Sequence, residues 1–60
     1  MKKSERMFNA LVQAGVTGYS IPIMEIGTVA DHARVKLREG TPPALIPAAV
    51  AEFCERNGWK

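Results

Sequence analysis

The chain has 60 residues, 47% of them hydrophobic, which is enough for one small globular domain over 1–60 and excludes a second. Its eight basic and six acidic residues give a formal net charge of +2, and its single cysteine and single histidine exclude an internal disulfide and a zinc site. We therefore expect no cofactor. Because so short a chain has a thin core, we expect it to gain stability from a partner, as in a homodimer.

The distribution of apolar residues limits the functional class further. No apolar run approaches about 18 residues, and the basic start of the chain lacks the apolar stretch of a secretion signal. A cytoplasmic protein that does not enter the membrane is therefore expected. An enzyme is not expected, because a pocket, a base and a nucleophile would compete with the core for the same few residues.

The first predicted element is a helix over about 4–14. Ser4 is a suitable N-cap, and Gly15 is expected to end the helix in a left-handed conformation. Between them, large apolar residues repeat at helical spacing: Met7, Phe8, Leu11 and Val12.

The last predicted element is a helix over about 47–57, with Pro47 in its first turn after a rigid Thr41-Pro42-Pro43 loop. Gly58 is expected to end it in a Schellman motif, with the Trp59 indole folded back on the last turn. The apolar stripe of this helix comprises Ile46, Val50, Phe53 and Cys54.

The middle of the chain has two interpretations, and the first is helical. Ser20 would cap a short helix over 21–26 that ends at Gly27, and a box-like start at Thr28 would open a second helix over 28–39 that ends at Gly40. The buried stripe of the second helix would be Val29, Ala33 and Leu37, with Val35 on the opposite side.

The second interpretation is a small antiparallel sheet. Residues 32–38 alternate between apolar and polar side chains, and 19–26 and 44–46 would supply two further strands. This would give an α+β domain with two flanking helices. The helical interpretation is favoured, because it explains Ser20, Thr28 and Gly40 as caps. The expected fold is thus mainly α, a helix-turn-helix-like bundle of about four helices.

Interpreted as helices, residues 20–43 carry a pattern of Ile26-Gly27, twelve residues, Gly40 and then a loop with two prolines. This pattern resembles the helix-turn-helix of small phage regulators and of transposase DNA-binding domains. A glycine makes the turn in that family, and an Arg-x-x-Leu-Arg run often precedes the final glycine, as Arg34 to Arg38 does here.

The resemblance implies that helix 28–39 lies in the major groove of DNA. Thr28 and His32 would hydrogen-bond to bases, and Val35 would contact a thymine methyl group. The basic residues would bind phosphates, first from the helix and then from the start of the chain: Arg34, Lys36, Arg38, Lys2, Lys3 and Arg6.

The function expected from the sequence is DNA-binding regulation in a phage or another mobile element. A net charge of +2 is low for a nucleic-acid binder, so a homodimer is expected to supply the missing affinity. The alternative comes with the sheet. An α+β interaction or inhibitor module would bind a host protein through a strand edge or through its Trp59 end.

Overall fold

Three α-helices form the part of the protein that the structure describes. The computed structural model covers residues 3–59 in this sense, and its helices are α1 (Lys3–Val16), α2 (Ile26–Arg38) and α3 (Ile46–Arg56). No strand occurs between residues 3 and 59, so the mainly α prediction is confirmed. The alternative of a small sheet from 19–26, 32–38 and 44–46 is therefore wrong, and so is the number of about four helices.

The missing fourth helix is the one expected over 21–26. Pro22 has an extended backbone (φ −57°, ψ 141°), and a single 3-10 turn over Ile23–Glu25 continues directly into α2. Gly27 is therefore the second residue of α2 and not a turn, and Thr28 lies inside the helix and not at its N-cap. Pro22 explains why no separate helix forms over 21–26. Its backbone is extended, and the chain after it forms a single continuous helical segment, the 3-10 turn followed by α2.

The start of α3 repeats this arrangement. Pro42 has nearly the same backbone angles as Pro22 (φ −59°, ψ 140°), and a 3-10 turn over Pro43–Leu45 again leads into the helix. Proline is tolerated there because the first amides of a helix have no acceptor within it. The rigid loop expected before the last helix thus also sets the direction in which α3 begins.

The ends of α2 and α3 are Schellman motifs. The motif was predicted at Gly58, and for α2 the sequence predicted an end at Gly40. Gly40 and Gly58 have positive φ angles of 102° and 73°. The Thr41 amide donates to the Lys36 carbonyl at 3.0 Å, and the Trp59 amide donates to the Cys54 carbonyl at 3.1 Å. These bonds satisfy carbonyl groups that a helix end otherwise leaves without a partner.

The prediction for the end of α1 is wrong. The helix continues through Gly15 to Val16, and the left-handed glycine is Gly18, with φ 89°. Gly15 is buried where α1 crosses α3: a Cβ atom added there would lie 2.7 Å from the Pro47 carbonyl oxygen and 2.7 Å from the Val50 Cβ. The start is also shifted, since Ser4 lies within the helix and not at its N-cap.

The core lies between α2 and α3 and is covered by α1. Its fully buried side chains are Val29, Ala33, Ile46, Val50 and Cys54. The half-buried apolar residues of α1 pack against them, chiefly on the α3 side. The predicted apolar stripes of α2 and α3 therefore face the core. None of the helices in the described chain is long and apolar enough to cross a membrane.

The C-terminal residues are joined to the loop after α1. The Ser20 amide, expected to begin a helix, donates to the Trp59 carbonyl at 3.0 Å, and the Tyr19 hydroxyl donates to Glu55 Oε1 at 3.1 Å. The Trp59 ring lies edge-on to Phe53, with 5.9 Å between ring centroids. The expected folding back of the indole is confirmed. Trp59 thus makes its contacts with residues of its own chain.

Burial of Cys54 makes the stability of this core dependent on pH. Desolvation raises the pKa of the thiol above its ordinary 9.0, so the unfolded chain loses this proton at a lower pH than the folded one. We expect the free energy of unfolding to be unaffected by this group below pH 9 and to fall as the pH rises above it.

Urea unfolding at neutral and at alkaline pH, compared with that of Cys54→Ala, measures this dependence. The variant lacks the thiol and should show a smaller alkaline loss. Some loss remains, because desolvation and the hydrogen bond to Glu55 also raise the pKa of Tyr19. Equal losses in the wild type and in Cys54→Ala would contradict the prediction.

Candidate nucleic-acid interface

Helix α2 is the most cationic of the helices in the described residues. It carries Arg34, Lys36 and Arg38 against a single carboxylate, Asp31. Helix α3 has the opposite balance, with two glutamates and one arginine. The positive charge is therefore concentrated on one helix, and mainly in the carboxyl half of that helix.

The outward-facing side of α2 lies opposite Val29 and Ala33, which are buried in the core. Its exposed side chains include Thr28 and Val35, and Val35 is 40% exposed. The exposed position predicted for Val35 is thus confirmed. The Thr28 hydroxyl makes only a long hydrogen bond, of 3.4 Å, to Glu25 Oε1. A small apolar group and a weakly engaged hydroxyl therefore lie about two helical turns apart on the same side of α2.

Arg34 lies on the flank of α2 that faces α1. The central carbon of its guanidinium group is 5.1 Å from the centroid of the Phe8 ring, a cation–π arrangement. Stacking of this kind restricts the long side chain but leaves the N–H groups, which lie in the guanidinium plane, able to donate. Arg34 is thus held in place while it keeps its capacity to bind an anion.

His32 and Lys36 lie on the other flank, which faces α3. The His32 ring stacks on Phe53, with 4.2 Å between centroids and 19° between planes, and is half-buried there. Lys36 Nζ is 3.9 Å from Glu39 Oε1. The sequence-based expectation that His32 contacts DNA bases requires its ring to face outward. In the structure the ring instead lies against Phe53 of α3.

The two side chains border a groove of about 320 Å³ between α2 and α3. Thr41 and Arg56 also line it, and neither was identified from the sequence. Arg56 reaches this groove through the packing of α3 on α2, whereas Thr41 directly follows the end of α2 and its amide bonds to the Lys36 carbonyl. Arg56 is paired with Glu52 at 2.8 Å, which offsets its charge. The groove therefore adds polar groups beside α2 but little net charge.

The basic residues of α1 lie at the same end of the bundle as the carboxyl half of α2. Phe8, near the start of α1, meets Arg34, whereas Val12 and Val16 border a second groove together with Ile26 and Val29. The two helices thus run in opposite directions. Lys3 and Arg6 are exposed near this end, and Lys2 lies outside the described residues.

Comparison of the chain with protein-family models, with curated proteins and with solved structures gives no match. Within residues 3–59, no group of three or more His, Cys, Asp or Glu side chains is arranged to hold a metal ion. The charge and the exposed face of α2 are therefore the features from which a function has to be inferred.

Proposed function

We propose that the protein is a small cytoplasmic DNA-binding regulator of a phage or another mobile element, in which α2 is the recognition helix of a helix-turn-helix-like module. The observation that carries this proposal is the combination of three basic side chains with an exposed face on one helix. The resemblance rests on α2 and on the Gly40 and proline loop that follow it, since the helix expected over 21–26 is replaced by a 3-10 turn that continues into α2.

The dimensions of α2 suit the major groove. Its 13 residues make a rod about 20 Å long, and its outward face is not covered by α1 or α3 in the described chain. Val35 would contact a thymine methyl group, and Thr28 would turn from Glu25 toward a base. His32 would reach the base edges from the flank that faces α3.

The positions of the basic residues suit the two phosphate chains that border the groove. Arg34 lies on the α1 flank of the helix and Lys36 on the α3 flank, so that each would meet a different strand. Arg38 is exposed one turn after Arg34, and Lys3 and Arg6 would extend the basic surface at this end. Asp31 and Glu39 oppose DNA binding, which accords with weak binding by one copy.

Fluorescence anisotropy with a labelled duplex, repeated over a series of salt concentrations, tests the proposal. Replacing Arg34, Lys36 and Arg38 together by alanine should weaken binding by about a hundredfold or more and lower the slope of log affinity against log salt by about 3. Arg38→Ala alone should weaken binding to all sequences. Thr28→Ala or His32→Ala should instead reduce the difference between preferred and other sequences.

Arg56→Ala is the matched control. It removes the same charge as Arg38→Ala, but from a side chain on α3 that is already paired with Glu52. It should leave affinity and salt slope nearly unchanged. An equal loss in the two single variants, or a triple variant that binds like the wild type, would show that α2 is not the DNA-binding surface.

Binding of a host protein, the other function considered, would need a different surface from those expected. Residues 3–59 have no strand edge, and the Trp59 ring is half-buried against Phe53. The most exposed apolar side chains, Ile23 and Met24, lie at the opposite end of α2 from the basic residues.

A further inference from the structure

The amino end of α2 carries an exposed apolar cluster. Ile23 is 86% exposed, Met24 is 91% exposed and Ile26 is 54% exposed, and we call these three residues the amino-end patch. Together they expose on the order of 400 Å², which is the size of the largest apolar patch on a typical monomeric protein, a patch that is often functional. Isolated exposed apolar residues need no explanation, but three within four positions do.

An apolar groove of about 240 Å³ adjoins the patch. Apart from Gln13, its lining is apolar or aromatic: Val12, Val16, Tyr19, Ile21, Ile26 and Val29. Protruding side chains and a concave surface of the same chemistry therefore lie side by side. Under a two-fold rotation, such a surface is complementary to itself.

Gly27 gives a separate indication of a close contact here. It is exposed within α2, and a Cβ atom added to it would meet nothing within 4 Å. Glycine weakens a helix relative to alanine, and its φ angle is not positive here, so nothing inside the chain requires it. A bare helix backbone beside the patch is what a neighbouring molecule needs for close approach.

We propose that the amino-end patch and its groove bind a second copy of this chain, with Ile23 and Met24 of each copy seated in the groove of the other. The charges favour this partner. None of the patch and groove residues is charged, and the charged side chain beside them is the carboxylate of Glu25, so two chains of net charge +2 meet where neither presents positive charge. Arg34, Lys36 and Arg38 lie in the other half of α2 and stay uncovered.

The available area sets the expected strength. Weak specific interfaces bury roughly 600 Å² on each partner, which is about a seventh of the 4369 Å² surface of this chain. The patch supplies about two thirds of that area and the walls of the groove add a smaller part, which is typical of a weak contact. We therefore expect a dimer that forms reversibly as the protein concentration rises from low micromolar to millimolar.

Sedimentation equilibrium over this concentration range is the test, and it needs no DNA. The wild-type mass should rise from 6.6 kDa toward twice that value. Met24→Glu and Ile23→Glu should each raise the dimer dissociation constant by about tenfold or more, because a carboxylate would be buried without a partner. Met7→Glu is the matched control, since Met7 is 56% exposed on α1 and does not line the groove.

Gly27→Ala separates a binding role from a structural one. It should raise the urea midpoint of the monomer, measured in dilute solution, and at the same time weaken the dimer. A wild-type mass that stays at 6.6 kDa at every concentration would overturn the proposal, as would a dimer that Met24→Glu and Ile23→Glu leave intact. Binding of another protein or of lipid vesicles to a strictly monomeric chain would also overturn it.

Discussion

Gly15→Ala is expected to unfold a large fraction of the protein at room temperature. The added Cβ atom would lie 2.7 Å from the Pro47 carbonyl oxygen and within 2.9 Å of two atoms of Val50. Neither neighbour is the flexible end of a long side chain, so α1 would have to move away from α3. Overpacking of this kind costs about 1–3 kcal/mol or more, and the core of so small a domain rarely supplies more than about 3–5 kcal/mol.

Urea unfolding followed by circular dichroism measures the loss, and Gly27→Ala is the matched control. Both substitutions add one methyl group to a glycine inside a helix, where alanine alone would stabilise by up to about 1 kcal/mol. Gly27→Ala should therefore raise the stability, since nothing lies within 4 Å of the new atom. If Gly15→Ala also stabilised the protein, the close approach of α1 to α3 would be wrong.

Ile46→Ala is expected to have a comparably large effect. Ile46 is the first residue of α3 and is fully buried, although it directly follows an exposed loop. Truncation of a buried isoleucine to alanine costs about 2–5 kcal/mol, through lost burial and the cavity that remains. We expect the variant to be mostly unfolded at room temperature, with loss of the Trp59 signal that reports packing against Phe53.

Ile26→Ala provides the comparison at the equivalent position. Ile26 also begins a helix after a proline and a 3-10 turn, but it is 54% exposed. In dilute solution its truncation should cost less than half as much as that of Ile46. Equal losses at the two positions would mean that Ile46 is not the more deeply packed residue.

The sequence predicts those features of the fold that depend on neighbours along the chain. Gly40 and Gly58 end their helices as expected, because a left-handed glycine after an apolar stripe is a local signal. The buried positions of α2 and α3 also follow from their spacing. The segment over 21–26 was predicted wrongly, because a proline can either begin a helix directly or, as Pro22 does, precede a 3-10 turn.

Gly15 shows what local signals leave undetermined. Two glycines, at positions 15 and 18, lie near the end of the first apolar stripe, and either can end a helix. The choice depends on α3, since the absence of a side chain at Gly15 is what lets Pro47 and Val50 approach. A spacing rule within α1 does not contain this information.

The candidate interface divides in the same way. The exposure of Val35 follows from its position opposite the buried stripe, and the structure confirms it. The placement of His32 does not follow, because its ring lies where the flank of α2 meets Phe53 of another helix. Arg56 was missed for the same reason, since it reaches the groove through the packing of α3 on α2. Whether any of these residues contacts DNA remains a prediction for the binding experiments.

The packing of α1 on α3 determines when the apolar residues of α1 become buried during synthesis. Gly15 and Pro47 touch although they are 32 positions apart, whereas α2 and α3 are joined by a short loop. Because closing a longer loop costs more entropy, we expect α2 and α3 to pair first and α1 to dock on them afterwards. On the ribosome, α1 is made first and its partner last. Its apolar residues Phe8, Leu11 and Val12 therefore lack most of the surface that covers them until α3 has emerged.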